Sequence, residues 1–171
     1  YIKKAIMDYL ADDTIINALD LYTEAKAEFL TTIEKQILEP RNLNYKVMCC
    51  GPTGTNAIEA ALKLARKNKK RTNVFAFFGA FHGMSLGSLA MTTDQTSREG
   101  AGVPLENVTF VPYENKRVDS IEYIRHMLED DHSGVALPAA IFVETTQAEG
   151  GINVSSVEWL KELRAICDEY D

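Results

Sequence analysis

Two glycines and two threonines stand directly before a helical pattern in the stretch GPTGTNAIEAALKLARK, residues 51–67. The apolar residues that follow have the i, i+3, i+4, i+7 spacing of an amphipathic helix: Ile58, Ala61, Leu62 and Ala65. A helix beginning near Thr55 would present backbone N–H groups without partners at the positive end of its dipole, and glycines let a ligand approach the backbone. This order of residues therefore suits an anion, and phosphate fits best.

A second interpretation of the same residues is purely structural. Gly51, Pro52 and Gly54 favour a tight turn between a strand and a helix. The hydroxyl of Thr53 or Thr55 can then cap the helix start. The stretch has neither the G-x-x-x-x-G-K-[ST] spacing of a nucleotide P-loop nor the G-x-G-x-x-G of a dinucleotide fold. The residues alone leave two interpretations open, a phosphate site of another kind or a simple turn.

Two further glycine-bearing segments, residues 79–83 and 144–150, follow apolar runs that predict buried strands. Glu144 ends one such run, where a carboxylate is costly unless it is paired, so we expect it to face a site. In open parallel sheets, ligands bind beyond the carboxyl ends of the strands. We therefore expect these two segments and residues 51–55 to converge on one crevice.

Strand and helix patterns alternate along the chain. Apolar or alternating runs predict four strands, at residues 45–50, 72–78, 107–112 and 138–147. Helical periodicity predicts helices at residues 1–13, 23–40, 55–67, 119–131 and 155–170, and a loop opening into a helix over 79–93. Ser155 and Glu158 have capping-box spacing at the start of the last helix. This order predicts an α/β fold in three layers, αβα, with a mostly parallel sheet.

The composition is that of an ordinary globular domain, with 46% hydrophobic and 25% charged residues among 171. We expect a single α/β region over 1–171 with a helical lead-in over 1–40. The net charge of −7 argues against a nucleic-acid or anionic-membrane surface, and no apolar run is long enough to span a membrane. The three cysteines do not make a disulfide framework, so we expect a reducing, cytoplasmic compartment, and we expect no metal site.

Three motifs in this order resemble the class III, or ornithine-type, aminotransferases that use pyridoxal 5'-phosphate: GPTGTNAIEAALKLARK, GAFHGMSLGSLAMT and VETTQAEGGIN. The resemblance extends over essentially the whole chain. The subgroup that acts on diaminobutyrate in ectoine biosynthesis is the most similar, since Asn56 stands where the wider family usually has glutamate. The resemblance implies that the chain is part of the large, cofactor-binding domain of a fold-type I enzyme.

The resemblance assigns cofactor-binding roles to five residues. The backbone N–H groups of Gly54 and Thr55 would bind the cofactor phosphate, with the Thr55 hydroxyl beside them. Phe81 matches the aromatic residue that lies against the pyridine ring, and His82 follows it. Glu144 begins the motif that in the family is commonly E-x-x-Q-G-E. On this match all five residues would surround the cofactor.

Glu149 matches a substrate-binding glutamate of the family. There it pairs with a mobile arginine, so that one pocket accepts both an amino donor without a second carboxylate and 2-oxoglutarate. Ala148 replaces the glycine usual before it, so the backbone of this loop departs from the family pattern. Met84 stands where acetylornithine-type members carry arginine, which argues against a donor that needs that arginine.

The family's Schiff-base lysine and its aspartate for the pyridinium nitrogen come later than the last helix of this chain. No lysine here lies in a matching motif, so we expect no catalytic residue in residues 1–171 and no activity from them alone. We expect the chain to be cut from a larger protein. That enzyme would transfer an amino group between diaminobutyrate, or a similar diamino acid, and 2-oxoglutarate, as a homodimer or higher homo-oligomer.

Other functions are consistent with the same residues. Within the family, ornithine or 4-aminobutyrate is the alternative amino donor. Outside it, the chain would be a non-catalytic module that binds another phosphorylated ligand, or a fragment with a structural or dimer-forming role.

Overall fold

The computed structural model describes residues 1–17, 20–115 and 117–171. These residues form two units, Tyr1–Cys49 and Cys50–Asp171. The expectation of a single α/β region with a helical lead-in stays a prediction. No helix among the described residues combines the length and the apolar character that crossing a bilayer requires.

The first unit is built from helices. α1 spans Ile2–Ala11 and α2 spans Glu24–Ile33. The hydroxyl of Thr23 caps α2 by accepting a backbone hydrogen bond of 3.2 Å from the first turn. After α2 the chain continues as a π-helical stretch, Glu34–Leu38, and a 3₁₀ turn, Glu39–Arg41. Both predicted helices of this region are therefore present, and the second is α-helical only in its first part.

The second unit is organised around β1, Val74–Phe77, which is buried at every residue. β2, Val108–Val111, pairs with β1 in parallel. The extended segment 139–143 runs parallel to β1 on its other side, where Phe75 donates one backbone hydrogen bond to it at 3.0 Å and accepts another at 2.8 Å. β1 is therefore the central strand, as its continuous apolar run predicts.

Helices cover both faces of this sheet. The helices of the second unit are, in chain order, α3 Gly54–Lys69, α4 Leu86–Ala90, α5 Gln95–Glu99, α6 Ser120–Glu129 and α7 Val157–Tyr170. Leu62 of α3 packs in one hydrophobic cluster with Val74 and Ala76. Phe75 and Phe77, which point to the opposite face, pack in a second cluster with residues of α6 and α7. The predicted three-layer αβα arrangement with parallel strands is confirmed.

Two predicted strands differ from the structure. Residues 45–50 form no strand, because their backbone has no neighbouring strand among the described residues to complete a ladder. The run predicted at 138–147 is divided: segment 139–143 lies beside β1, and β3, Thr146–Gln147, forms an antiparallel hairpin with β4, Asn153–Val154. One continuous run of β-forming residues therefore contributes to two sheets, the central sheet and the β3–β4 hairpin.

The residue that caps the start of α7 also lies one position later than predicted. The hydroxyl of Ser156 caps α7 by accepting the N–H of Trp159 at 3.1 Å. The Ser155 hydroxyl instead donates to the carbonyl of Thr145 at 3.0 Å. The capping box expected for Ser155 is wrong, because that serine bonds to Thr145 at the base of the β3–β4 hairpin. Ser156 is held in turn by Glu114, which accepts its N–H and its hydroxyl at 2.6 and 2.7 Å.

Candidate functional site

A cavity of about 610 Å³ lies where three segments of the second unit meet. Its lining residues come from the start of α3, from the loop after β1 and from the end of segment 139–143: Thr53, Gly54, Thr55, Ala57, Ile58, Phe81, His82, Gly83, Phe142, Val143 and Glu144. The two chain segments that end here are parallel neighbours in the sheet. As expected, segments 51–55 and 79–83 meet beyond the carboxyl ends of parallel strands, whereas only Glu144 of segment 144–150 lines the cavity.

The start of α3 supplies the backbone groups of this cavity. The helix begins at Gly54, one residue earlier than predicted, and Thr53 is its N-cap, with its hydroxyl accepting the N–H of Asn56 at 3.1 Å. The N–H groups of Gly54 and Thr55 belong to the first turn, where the helix itself offers no acceptor. A helix of 16 residues places the positive end of its dipole there. Both residues line the cavity.

The loop after β1 lies in direct contact with this helix start. A Cβ built on Gly83 would come within 1.9 Å of the Thr55 hydroxyl and 2.7 Å of the Ser88 hydroxyl. The φ of Gly83 is +135°, a conformation that side chains disfavour. Glycine is therefore required at residue 83 for both reasons.

Thr92 binds the backbone of the same loop through its side-chain hydroxyl. It is fully buried, and its hydroxyl oxygen accepts the N–H groups of His82 and Gly83 at 3.0 and 3.2 Å. That hydroxyl lies 3.0 Å from the carbonyl of Gly83 and 3.1 Å from that of Ser88, either of which can take its proton. No sequence motif around Thr92 predicts that it binds the backbone of this loop.

Glu144 fixes the backbone of Phe81. Its carboxylate accepts the Phe81 N–H at 3.1 Å, and its own carbonyl accepts the hydroxyl of Tyr113 at 2.9 Å. Burial raises the pKa of Glu144, the hydrogen bond from Phe81 opposes this, and the charge of Glu149 adds to the rise. Because the folded-state pKa is raised, this carboxyl lowers stability as the pH rises from the unfolded-state pKa through the folded-state pKa.

His82 contributes a buried polar atom to the cavity. The residue is 7% exposed, and its Nε2 has no hydrogen-bond partner among the described residues. Desolvation lowers the pKa of the imidazole from its usual value of 6.5, so the ring is neutral at pH 7. Its edge lies against Phe142, with the ring centroids 6.1 Å apart. A buried nitrogen of this kind costs free energy until a ligand or water bonds it.

Five of the six predicted site residues therefore meet at one cavity, and Glu149 is the exception. Glu149 is exposed on the β3–β4 hairpin and does not line the cavity, although its charge acts on Glu144. Gln147, for which no role was predicted, is a buried residue of this hairpin. Its place in the E-x-x-Q-G-E motif was the available signal.

The family model Aminotransferase class-III matches residues 2–171, which is nearly the whole chain. The chain belongs to the class III aminotransferases. This confirms the resemblance that the three motifs indicated.

Curated relatives in this family are about 50% identical to the chain over the region that aligns. The diaminobutyrate–2-oxoglutarate transaminase of Sporosarcina pasteurii is 52% identical over 99% of this chain and 40% of its own length. Enzymes of the same name from Virgibacillus pantothenticus and Streptomyces coelicolor are each 50% identical, over 99% of this chain and 41% of theirs. The chain thus spans about 40% of the length of the curated relatives it matches.

Solved transaminase structures have the same fold. An S-selective transaminase from Arthrobacter with alanine bound superposes with a TM-score of 0.78 at 23% identity, over 99% of this chain and 40% of that one. A taurine:2-oxoglutarate aminotransferase from Bifidobacterium kashiwanohense, in complex with PLP and glutamate, gives 0.77 at 20% identity over the same shares. The predicted fold, part of the large domain of a fold-type I transferase, is confirmed.

Membership of this family implies pyridoxal 5'-phosphate as the cofactor. The cavity has features that fit this cofactor. An anion fits the unpaired N–H groups at the start of α3, a planar ring fits the aromatic side chain of Phe81, and a polar group fits the unpartnered nitrogen of His82. No group of three or more potential metal ligands is arranged for metal binding within the described residues.

We predict that Thr92→Val destabilises the protein, because valine keeps the shape of threonine but leaves two buried N–H groups without acceptors. The expected loss in free energy of unfolding is about 1–3 kcal/mol for each unpaired group. Urea unfolding followed by far-ultraviolet circular dichroism measures it. Thr92→Ser is the control, since it keeps the hydroxyl and should lose less. Equal stability of Thr92→Val and wild type would show that these hydrogen bonds do not hold the loop.

Proposed function

We propose that this chain is the cofactor-binding part of an enzyme that transfers an amino group between diaminobutyrate, or a similar diamino acid, and 2-oxoglutarate. The observation that carries the proposal is the start of α3, where Gly54 and Thr55 line the same cavity as Phe81 and His82 and have N–H groups for which α3 offers no acceptor. The choice of diaminobutyrate rests on the names of relatives up to 52% identical to the chain.

Each cavity residue has a distinct task in this proposal. Gly54 and Thr55 bind the cofactor phosphate through backbone N–H groups at the positive end of α3. Phe81 supplies a flat apolar face that fixes the plane of the cofactor ring, and Glu144 faces the cofactor while holding the backbone of Phe81. His82 would offer its buried Nε2, for which the described residues supply no partner, to a polar atom of the cofactor. Pyridoxal 5'-phosphate, when bound, supplies the electron sink for the reaction.

Glu149 is proposed to act on the substrates rather than on the cofactor. It lies on the hairpin outside the cavity, close enough for its charge to raise the pKa of Glu144. From this location the Glu149 carboxylate would interact differently with a substrate that has a second carboxylate and with one that lacks it. We also propose a homodimer or higher homo-oligomer, a cytoplasmic location and a role in ectoine biosynthesis, as the resemblance to the diaminobutyrate subgroup implies.

The amino donor is tested with the full-length enzyme. It is incubated with 2-oxoglutarate and diaminobutyrate, ornithine or 4-aminobutyrate in turn, and glutamate formation is measured. We expect kcat/KM to be highest for diaminobutyrate. A higher value for ornithine or 4-aminobutyrate would reassign the donor within the family. Absence of turnover with all three, together with tight binding of inorganic phosphate, would favour a non-catalytic phosphate-binding module.

We predict that Gly54→Pro weakens binding of pyridoxal 5'-phosphate roughly 10- to 100-fold, the effect of losing one hydrogen bond to a charged group. Proline suits the first position of a helix, and the extended backbone of Thr53 suits a residue before proline, so the substitution removes the N–H without breaking α3. Cofactor titration by visible absorbance measures the affinity.

Gly54→Ala is the matched control for this prediction. A Cβ built on Gly54 meets no protein atom within 4 Å, and alanine keeps the N–H, so its affinity should stay near that of wild type. Equal affinities for the proline and alanine variants would remove the Gly54 N–H from the phosphate site.

We predict that Phe81→Ala weakens cofactor binding by about 1–3 kcal/mol, because the ring face and its buried area are both lost. The absorption spectrum of the bound cofactor should change as well. Phe78→Ala is the control, since Phe78 belongs to the same turn but is 54% exposed and does not line the cavity. Native affinity together with a native spectrum in Phe81→Ala would assign Phe81 an ordinary packing role.

A further inference from the structure

Gln147 is a buried amide that connects two parts of the site. The side chain is 1% exposed. Its Nε2 donates to the carbonyl of Phe78 at 2.8 Å, and its Oε1 accepts the Nδ2 of Asn153 at 3.1 Å. Phe78 belongs to the turn after β1, which continues into the loop of Phe81, whereas Asn153 lies opposite Gln147 in the β3–β4 hairpin. One amide therefore uses its donor to link the hairpin to that turn and its acceptor to bind Asn153 across the hairpin.

Two glycines let the hairpin approach the turn closely. A Cβ on Gly150 would come within 2.6 Å of the carbonyl oxygen of Gly79, and a Cβ on Gly79 would come within 3.0 Å of the Gln147 Oε1. Asn153 also donates to the carbonyl of Gly150 at 2.8 Å, which closes the hairpin over the Gln147 amide. The tip that carries Glu149 is therefore packed against the turn.

We propose that Gln147 is a positioning residue: its amide holds the β3–β4 hairpin on the turn at Phe78 and so fixes Glu149 relative to Phe81 and Glu144. An amide is required because the two hydrogen bonds need a donor and an acceptor on one planar group. An ionised carboxylate has no donor for the carbonyl of Phe78. The consequence for substrate binding rests on the proposed function, whereas the attachment of the hairpin does not.

The attachment is tested by hydrogen exchange in the full-length enzyme. Gln147→Glu keeps the size of the side chain, and Gln147→Met removes the amide without adding a charge. We expect amides of residues 146–154 to exchange at least tenfold faster in both variants. In Gln147→Glu the increase should be larger at pH 8.5 than at pH 6, after correction for intrinsic rates, because only a protonated carboxyl can donate to Phe78. Gln36→Glu makes the same chemical change at an exposed residue and should leave this segment unchanged.

The positioning role is tested by steady-state kinetics and a double-variant comparison. We expect Gln147→Glu to raise KM for the amino donor about tenfold with kcat changed less than twofold. A displaced Glu149 would weaken one hydrogen bond that involves a charged group, which accounts for an effect of this size. Glu149→Gln should give a similar KM, and the double variant should be no worse than either single variant, because one residue acts through the other.

The outcomes separate this proposal from the proposed function. Unchanged exchange in both Gln147 variants would overturn the attachment, and faster exchange with unchanged KM, or additive effects in the double variant, would overturn the positioning role. Faster exchange with the non-additive rise in KM supports both. If wild type transfers no amino group, the proposed function and the positioning role fall together, whereas hydrogen exchange still decides whether Gln147 holds the hairpin.

Discussion

The contact between Gly83 and Thr55 is the constraint on which the geometry of the site depends. The helix start and the loop after β1 are closer here than any side chain at residue 83 would allow. This contact brings the unpaired N–H groups of Gly54 and Thr55 beside the loop that carries Phe81. Groups that fit an anion and a planar ring therefore lie in one cavity.

The sheet explains why this contact can be rigid. β1 is buried along its whole length, with hydrophobic clusters on both of its faces, so the point at which the strand ends is fixed by the core. From there the chain enters the loop that Thr92 and Glu144 hold by its backbone N–H groups. Because these bonds use only backbone groups of the loop, the side chains of Phe81 and His82, both cavity-lining residues, are not needed to hold it.

The parts of this arrangement that the sequence could predict depend on local patterns. The apolar run of β1, the stripe of α3 and the alternation of strands with helices follow from neighbouring residues, and motif order then predicted the five residues at the cavity. The strand at 45–50 was wrong because strand formation also needs a partner, which no local pattern specifies. Thr92 and Gln147 were missed because their partners lie 10 and 69 residues away in the chain.

The described residues that line the cavity include no lysine or arginine. His82 is neutral at pH 7 because burial lowers its pKa, and burial raises the pKa of Glu144, so both titratable groups are shifted towards their uncharged forms. The positive end of α3 and its free N–H groups are then the favourable electrostatic feature. Their dipoles are fixed by the backbone and do not titrate. In the proposed site, phosphate binding would therefore depend on the position of the helix start, which lies in contact with Gly83.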